Sequence, residues 1–146
     1  MTQTKELKSL LDRLECAKGA DRQLDEALMA LLYVRGRKHI GTQEDSGPGG
    51  RWVPVENDVW IDPATDKWVC TAALDFTSSL DDAVLFVERA ITQAEWEVQS
   101  KTPSRDFCMA FVRLNDLTRV AGTCETPALS LIAATLGVMI RRDGGS

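Results

Sequence analysis

Apolar side chains recur at helical spacing in two segments near the start of the chain. The first segment follows the potential N-cap Thr4, and the second follows the potential N-cap Asp21. Between them lies Lys18-Gly19-Ala20, where Gly19 can end a helix in a left-handed turn. The pattern predicts two helices, or one bent helix. Their apolar stripes are Leu7, Leu10, Leu11 and Leu14, followed by Leu24, Ala27, Leu28, Leu31 and Leu32.

Two further helices have well-marked beginnings. The third is predicted to begin after Ser78 or Ser79, because each has an aspartate three residues on, in the capping-box position. The fourth begins with the cap Thr126 and with Pro127 in the first helical position, where proline's missing N–H costs nothing. Its sequence, ALSLIAATLGVMI, is apolar almost all round and shorter than the ~20 residues of a membrane span. We therefore expect a buried core helix, followed by a frayed tail at 143–146.

Short runs of β-forming residues predict two pairs of strands between these helices. The first pair is a hairpin around the turn Asp62–Asp66, in which Pro63 suits the second turn position. The run FCMAFV in the second pair is apolar on both faces, which indicates a central strand. Residues 115–125 are expected to be a polar connection. The predicted strands are residues 59–61, 68–70, 96–99 and 107–114.

The order of these elements is α, α, loop, β, β, α, β, β, α. Strand pairs that alternate with amphipathic helices favour an α+β fold. We expect an antiparallel sheet of about four to five strands packed by about four helices, in an α/β/α sandwich-like arrangement. The 146 residues match the usual size of one domain, so residues 1–146 are predicted to form a single domain.

Residues 35–51 are rich in glycine and poor in apolar side chains, which predicts a long loop. Its ends carry a cluster of cations in a chain that is otherwise acidic. Arginine forks match phosphate oxygens, and glycine-rich backbone can add N–H donors, so the cluster predicts an anion-binding site. The alternative is a solvated loop without a ligand. The candidate ligand-binding residues are Arg35, Arg37, Lys38, His39, Arg51 and Trp52.

Four tryptophans fall in the strand-rich part of the chain, at Trp52, Trp60, Trp68 and Trp96. Core packing explains most of them. One or two exposed tryptophans near a basic segment would instead be suited to stack on a base or to anchor a partner.

The net charge, the start of the chain and the cysteine spacing exclude further classes of function. The chain has 17 basic and 22 acidic residues, a net charge of −5, which argues against non-specific binding to nucleic acid. Polar residues occupy the start of the chain where a signal peptide needs an apolar stretch, so we expect a cytoplasmic protein without a membrane span. The four cysteines lack metal-site spacing, so we expect reduced, structural thiols, mostly buried, with no metal and no cofactor.

Three phrases resemble the bacteriophage ABA (α/β/α) sandwich domain family of small phage proteins. They are LLDRLECAKGADRQLDEAL, FTSSLDDAVLFV and ETPALSLIAATL. The resemblance implies a sandwich fold, a phage or prophage origin and a location in the cytoplasm of the infected host. It supplies no catalytic residue. The chain departs from the family pattern in the basic segment 35–51 and in the added hairpin turn Asp62–Asp66.

Three hypotheses for function follow. The first is a non-catalytic phage accessory protein that acts by binding, as in counter-defence by sequestering a host protein or a nucleotide signal. The second is a phage structural or assembly protein, which a surplus of exposed apolar surface or a self-complementary face would favour, and a homo-oligomer fits either hypothesis. The third, a phosphodiester-cleaving enzyme, is the least favoured, because the sequence shows no suitable constellation of His, Asp or Glu.

Overall fold

The computed structural model describes residues 2–44, 52–114 and 118–144, with side chains described for 4–38, 57–114 and 119–142. These residues form four helices and six strands. The helices are α1 (Thr2–Cys16), α2 (Arg22–Leu32), α3 (Leu80–Ala90) and α4 (Pro127–Gly144). The strands are β1 (Val34–Glu44), β2 (Trp52–Asp62), β3 (Lys67–Cys70), β4 (Glu95–Gln99), β5 (Cys108–Leu114) and β6 (Thr118–Cys124).

The chain divides into two compact units. The hairpin unit is Met29–Ala73, and the sheet–helix unit combines Met1–Leu28 with Leu74–Ser146. The described strands form two antiparallel sheets of three strands, in the orders β1-β2-β3 and β4-β5-β6. The predicted α+β class is therefore confirmed, but the prediction of one sheet with four to five strands is wrong, because no ladder joins the two sets of described strands. The single domain stays a prediction.

Helix α4 forms the core of the sheet–helix unit. It packs against all three strands of the sheet and against helices α1 and α3. Leu129, Ile132 and Leu136 are fully buried, as predicted for a core helix. The helix continues to Gly144, residues 145–146 lie outside the described residues, and fraying of the tail at 143–146 stays a prediction.

A glycine sets how closely α4 approaches the sheet. A Cβ atom on Gly122 of β6 would lie 2.2 Å from the backbone oxygen of Ser130 and 2.6 Å from the backbone nitrogen of Ala134. Both contacts are with the helix backbone, which cannot rotate away as a side chain can. Ser130 locks the same contact, because its hydroxyl accepts from the backbone N–H of Cys124 and donates to the carbonyl of Cys108, each at 3.0 Å.

Three of the predicted helix caps are present, but the predicted cap Thr4 is wrong, because α1 already begins at Thr2 and Thr4 lies inside the helix. The carboxylate of Asp21 accepts from the backbone N–H of Leu24 at 3.1 Å, and the hydroxyl of Thr126 accepts from that of Leu129 at 3.2 Å. Of the two candidates for α3, Ser79 is the cap. Local chemistry therefore fixes these helix ends, as expected for residues that satisfy the first free N–H groups of a helix.

Two segments expected to be irregular are strands. Residues 115–125 were predicted to be a polar connection, yet β6 occupies Thr118–Cys124 and pairs along its length with β5. This makes β5 the central strand, as predicted. Residues 35–51 were predicted to be a loop, yet β1 extends to Glu44, and residues 45–51 lie outside the described residues. Both strands are rich in polar residues or glycine and take their regular structure from hydrogen bonds to a neighbouring strand.

The hairpin unit is built on a long antiparallel ladder between β1 and β2. It runs from Val34 opposite Ile61 to Glu44 opposite Trp52, with an irregularity between His39 and Gly41. The predicted hairpin between β2 and β3 is confirmed. Its turn is closed by Asp62, whose carbonyl accepts from the backbone N–H of Asp66 at 2.8 Å.

Candidate functional site

Strand β1 carries the three described cations of the predicted anion site on two faces of the hairpin. Arg35 lies opposite Trp60 and Arg37 opposite Asp58, so both side chains share one face of the ladder. Lys38, the next residue, belongs to the other face. The alternation of a strand thus separates cations that are adjacent in sequence.

Each of these cations already has a partner. The guanidinium of Arg35 donates to the carbonyl of Thr71 at 3.1 Å and lies 5.1 Å from the centre of the Trp60 ring. Arg37 pairs with Asp58 at 3.6 Å, and Lys38 donates to Asp66 at 3.2 Å. A phosphate would have to displace these carboxylates. Such exposed pairs are worth only about 0–1 kcal/mol, so the displacement is feasible but weakens binding.

The other predicted site residues are placed only through the backbone or not at all. His39 lies opposite Glu56, and Trp52 lies opposite Glu44, in the same ladder. Their side chains and the whole of Arg51 lie outside the described residues. The anion site formed by all six residues therefore stays a prediction.

The sheet–helix unit presents a second surface, the open face, which sequence reasoning missed. It is the face of β4–β5–β6 opposite α4. Three cross-strand rows form it, and every residue in them is exposed or half-buried. The rows are Glu95/Arg113/Arg119, Glu97/Phe111/Ala121 and Gln99/Met109/Thr123.

A shallow groove of about 250 Å³ occupies the charged end of the open face. In it, Arg113 pairs with Glu95, and the guanidinium of Arg119 lies 4.2 Å from the centre of the Phe111 ring. The carboxylate of Glu97 accepts a hydrogen bond from the side-chain amide of Gln99 at 3.0 Å. The groove is lined by Glu95, Trp96, Glu97, Phe111, Arg113 and Arg119.

Two of the three tryptophans whose side chains the structure describes are well exposed. Trp96 on β4 is 41% exposed and Trp68 on β3 is 44% exposed, whereas Trp60 is half-buried beside Arg35. The expectation that core packing explains most of the tryptophans is wrong for these three, because none of them is buried. A role in stacking or anchoring stays a prediction.

A buried polar cluster joins two of the phrases that carry the family resemblance. Asp25, which is 2% exposed, accepts from the backbone N–H and the hydroxyl of Thr77 at 2.8 and 2.9 Å. Arg22 lies 3.5 Å from Asp25 and donates to Asp75 at 2.8 Å. Burial raises the pKa of the Asp25 carboxyl, against the opposing effects of the Thr77 hydrogen bonds and the Arg22 charge. Every buried donor here has its acceptor, which identifies the cluster as a structural link rather than a ligand site.

The four thiols differ in exposure, and Cys70 in the hairpin unit is half-buried. Cys108 and Cys124 lie opposite each other in the sheet, and both are buried. Burial raises the pKa of the Cys124 thiol to about 12, so it stays protonated and unreactive near neutral pH. Cys16 is exposed at the end of α1, so the expectation of buried thiols is wrong for this residue, whose side chain leaves the apolar stripe.

Two further findings concern the described residues. They contain no group of three or more His, Cys, Asp or Glu side chains placed to hold a metal ion. None of the helices in this part of the chain combines the length and the apolar character needed to cross a bilayer.

Comparison of the chain with protein-family models, with curated proteins and with solved structures found no match in any of the three. The resemblance to the phage ABA sandwich domain family therefore stays a prediction that rests on the three phrases themselves.

Proposed function

We propose that the chain is a non-catalytic phage or prophage accessory protein that acts by binding in the cytoplasm of the infected host. The observation that carries this proposal is the open face. An antiparallel sheet can leave one face in water, and such a face is then usually polar. Here it holds an aromatic ring, two arginines and two glutamates around one groove, and aromatic and arginine side chains are enriched in recognition surfaces.

The groups in the groove are suited to recognition because they are held in place. Arg119 is stacked on Phe111, and Arg113 is tied to Glu95, so less side-chain freedom is lost when a ligand binds. A host protein or a nucleotide-like signal molecule fits this surface, and sequestering either one would serve as counter-defence.

The phage origin is supported by how the family-like phrases contact each other. Arg22 and Asp25 belong to the first phrase, and Thr77 belongs to the second. The buried hydrogen bonds between them link the start of α2 to the segment before α3. Two of the three phrases thus contact each other through buried hydrogen bonds, which agrees with their belonging to one fold.

A phage structural or assembly protein is the second candidate. Exposed apolar side chains favour it, because self-assembly buries such groups. In the hairpin unit these are Val34, Trp68 and Val69, and in the sheet–helix unit they are Leu80, Leu85, Trp96 and Phe107.

The experiment is purification of the tagged chain from bacteria during phage infection, with mass spectrometry of the proteins and small molecules that stay bound. A variant of the open face, Glu97→Lys with Arg119→Glu, reverses both charges. Its matched control, Asp12→Lys with Arg13→Glu, makes the same reversal on the exposed side of α1. We expect bound material with the wild type and the control but not with the open-face variant.

Equal recovery with all three proteins, or no bound material with the wild type, would contradict the proposal. Particles much larger than one chain that form without any host component, measured by light scattering on the same samples, would favour the assembly candidate.

A further inference from the structure

We propose that the groove binds a phosphate group carried on a planar ring with hydrogen-bond donors, as in a nucleoside monophosphate. This inference rests on the proposed function, because it names the class of ligand that the open face would recognise. It concerns residues of the sheet–helix unit that the sequence did not single out.

The first step is the placement of two like charges. Arg113 on β5 and Arg119 on β6 are directly opposite each other and share the open face. Like charges in this position destabilise a sheet unless something offsets them. Glu95 offsets Arg113, but Arg119 has no carboxylate partner among the described residues. One cation is therefore left for an anionic ligand.

The second step is the geometry of Arg119. Its guanidinium carbon lies 4.2 Å from the centre of the Phe111 ring, a cation–π contact that restrains the group above the ring. The N–H groups along its edge remain free to donate to phosphate oxygens, and its outer side offers a flat surface for a second ring. Arg119 can therefore bind both parts of a nucleotide.

The third step is the acid on the other side of the groove. Glu97 on β4 lies opposite Phe111, and one hydrogen bond from Gln99 leaves most of its acceptor capacity unused. Strands β4 and β6 flank β5 at about 4.8 Å on each side, and Glu97 and Arg119 lie one row apart, so their backbones are separated by roughly 12 Å across the groove. A ligand with phosphate at one end and ring N–H donors at the other satisfies both sides, whereas a bare anion satisfies one.

The volume of the groove also agrees with a ligand of this size. Its volume of about 250 Å³ lies just below the ~300–1,000 Å³ of typical small-molecule pockets, so it suits one ring and one phosphate.

Calorimetric titration of the whole chain with guanosine monophosphate, guanosine and inorganic phosphate tests the inference. We expect the nucleotide to bind more tightly than either fragment and to weaken as salt is added. Arg119→Ala should weaken nucleotide binding by roughly tenfold, the loss expected for charge-assisted hydrogen bonds. Arg13→Ala removes the same charge from the exposed side of α1 and should have no effect. Thermal melts of each variant check that the fold is kept.

Two more variants separate a binding role from a structural one. Arg119→Lys keeps the charge without the flat group, so it should retain phosphate binding but lose the advantage of the nucleotide. Glu95→Gln releases Arg113, so it should strengthen nucleotide binding severalfold, a gain that a structural role would not produce.

The inference is overturned if the wild type binds none of the three probes, if Arg119→Ala binds like Arg13→Ala, or if Glu95→Gln weakens binding. The proposed function is tested independently of this inference. Bound host material that is lost in the open-face variant would support it even if no nucleotide binds.

Discussion

Each unit of the molecule carries a pair of arginines on a sheet, and the two pairs differ in how their charges are met. In the hairpin unit, Arg37 pairs with a carboxylate and Arg35 donates to a backbone carbonyl. On the open face, Arg113 pairs with Glu95, whereas the guanidinium of Arg119 lies over the Phe111 ring and has no carboxylate partner among the residues that the structure describes. The arginines of the hairpin unit lie two residues apart in sequence, whereas those of the open face lie on different strands.

This difference shows what a cluster of charges in sequence can and cannot indicate. The density of positive charge in residues 35–51 predicted a binding site, but the strand pairing in this segment also brings partners to the cations. On the open face, the pairing of β5 with β6 brings two cations together, and the described part of the chain places a carboxylate beside only one of them. A binding surface is better recognised by which charges remain unmatched than by how many stand close together along the chain.

The prediction with the largest expected effect compares the packing of a buried residue in α4 with that of an exposed residue in β1. Ile132→Ala in α4 removes a fully buried side chain and should lower the free energy of unfolding by about 2–5 kcal/mol. Val34→Ala in β1, where the side chain is 51% exposed, should cost less than about 1 kcal/mol. Urea or guanidinium melts measure both. A cost below about 1 kcal/mol for Ile132→Ala would contradict the placement of α4 in the core.

Two glycine substitutions compare how tightly the backbone is packed in the two units. Gly122→Ala would place a methyl group against the backbone of α4, and should destabilise by about 1–3 kcal/mol. Gly36→Ala meets only the end of the Ile61 side chain, at 2.6 Å, which can rotate, so its cost should be smaller. Denaturant melts of the two variants make the comparison. Equal costs would show that α4 can move away from β6.

The helices were predictable from sequence because their signals are local. An apolar stripe and a capping residue such as Asp21, Ser79 or Thr126 lie within one or two turns of each other, and each was found where the sequence placed it. The apolar strand β5 was predictable for the same reason.

The strands β1 and β6 were not predictable, because their evidence lies elsewhere in the chain. Gly36 and the charged residues of β1 are typical of a loop, and only the pairing with β2 makes this segment a strand. Gly122 is required in β6 because a larger residue would clash with the backbone of α4. The open face was missed for the same cause. Arg113 and Arg119 are six residues apart, and only the register of β5 with β6 makes them neighbours.

The next prediction concerns phosphate binding at the predicted anion site of the hairpin unit. Because Asp58 and Asp66 compete for its cations, we expect this site to bind phosphate more weakly than the groove and to be more sensitive to salt. Arg35→Ala with Arg37→Ala should abolish this weaker component in calorimetry, leave the groove component intact and leave the melting temperature nearly unchanged. Loss of the groove component in this variant, or a single component in the wild type, would contradict a second site.

The smallest predicted effect compares a buried carboxyl with an exposed one in the same unit. Burial raises the folded-state pKa of Asp25, so between its ordinary value and the raised value the folded protein binds the proton more tightly than the unfolded chain does. Asp25 therefore makes the free energy of unfolding fall as pH rises through this window. Glu125 has the opposite sign, because the hydrogen bond from Lys101 lowers its pKa, and its contribution is lost as pH falls.

Asp25→Asn keeps an oxygen that accepts from Thr77 but removes the titration. The variant should therefore lose the falling component, so its stability should rise more steeply, or fall less, with pH than that of the wild type. Glu125→Gln is the matched control and should change the slope in the opposite direction. Denaturant melts from about pH 2.5 to about pH 7 give the slopes, with the effect of Glu125→Gln expected below the ordinary carboxyl pKa and that of Asp25→Asn above it. The assignment fails if both variants shift the slope the same way, since that would place the decisive proton on a group other than Asp25.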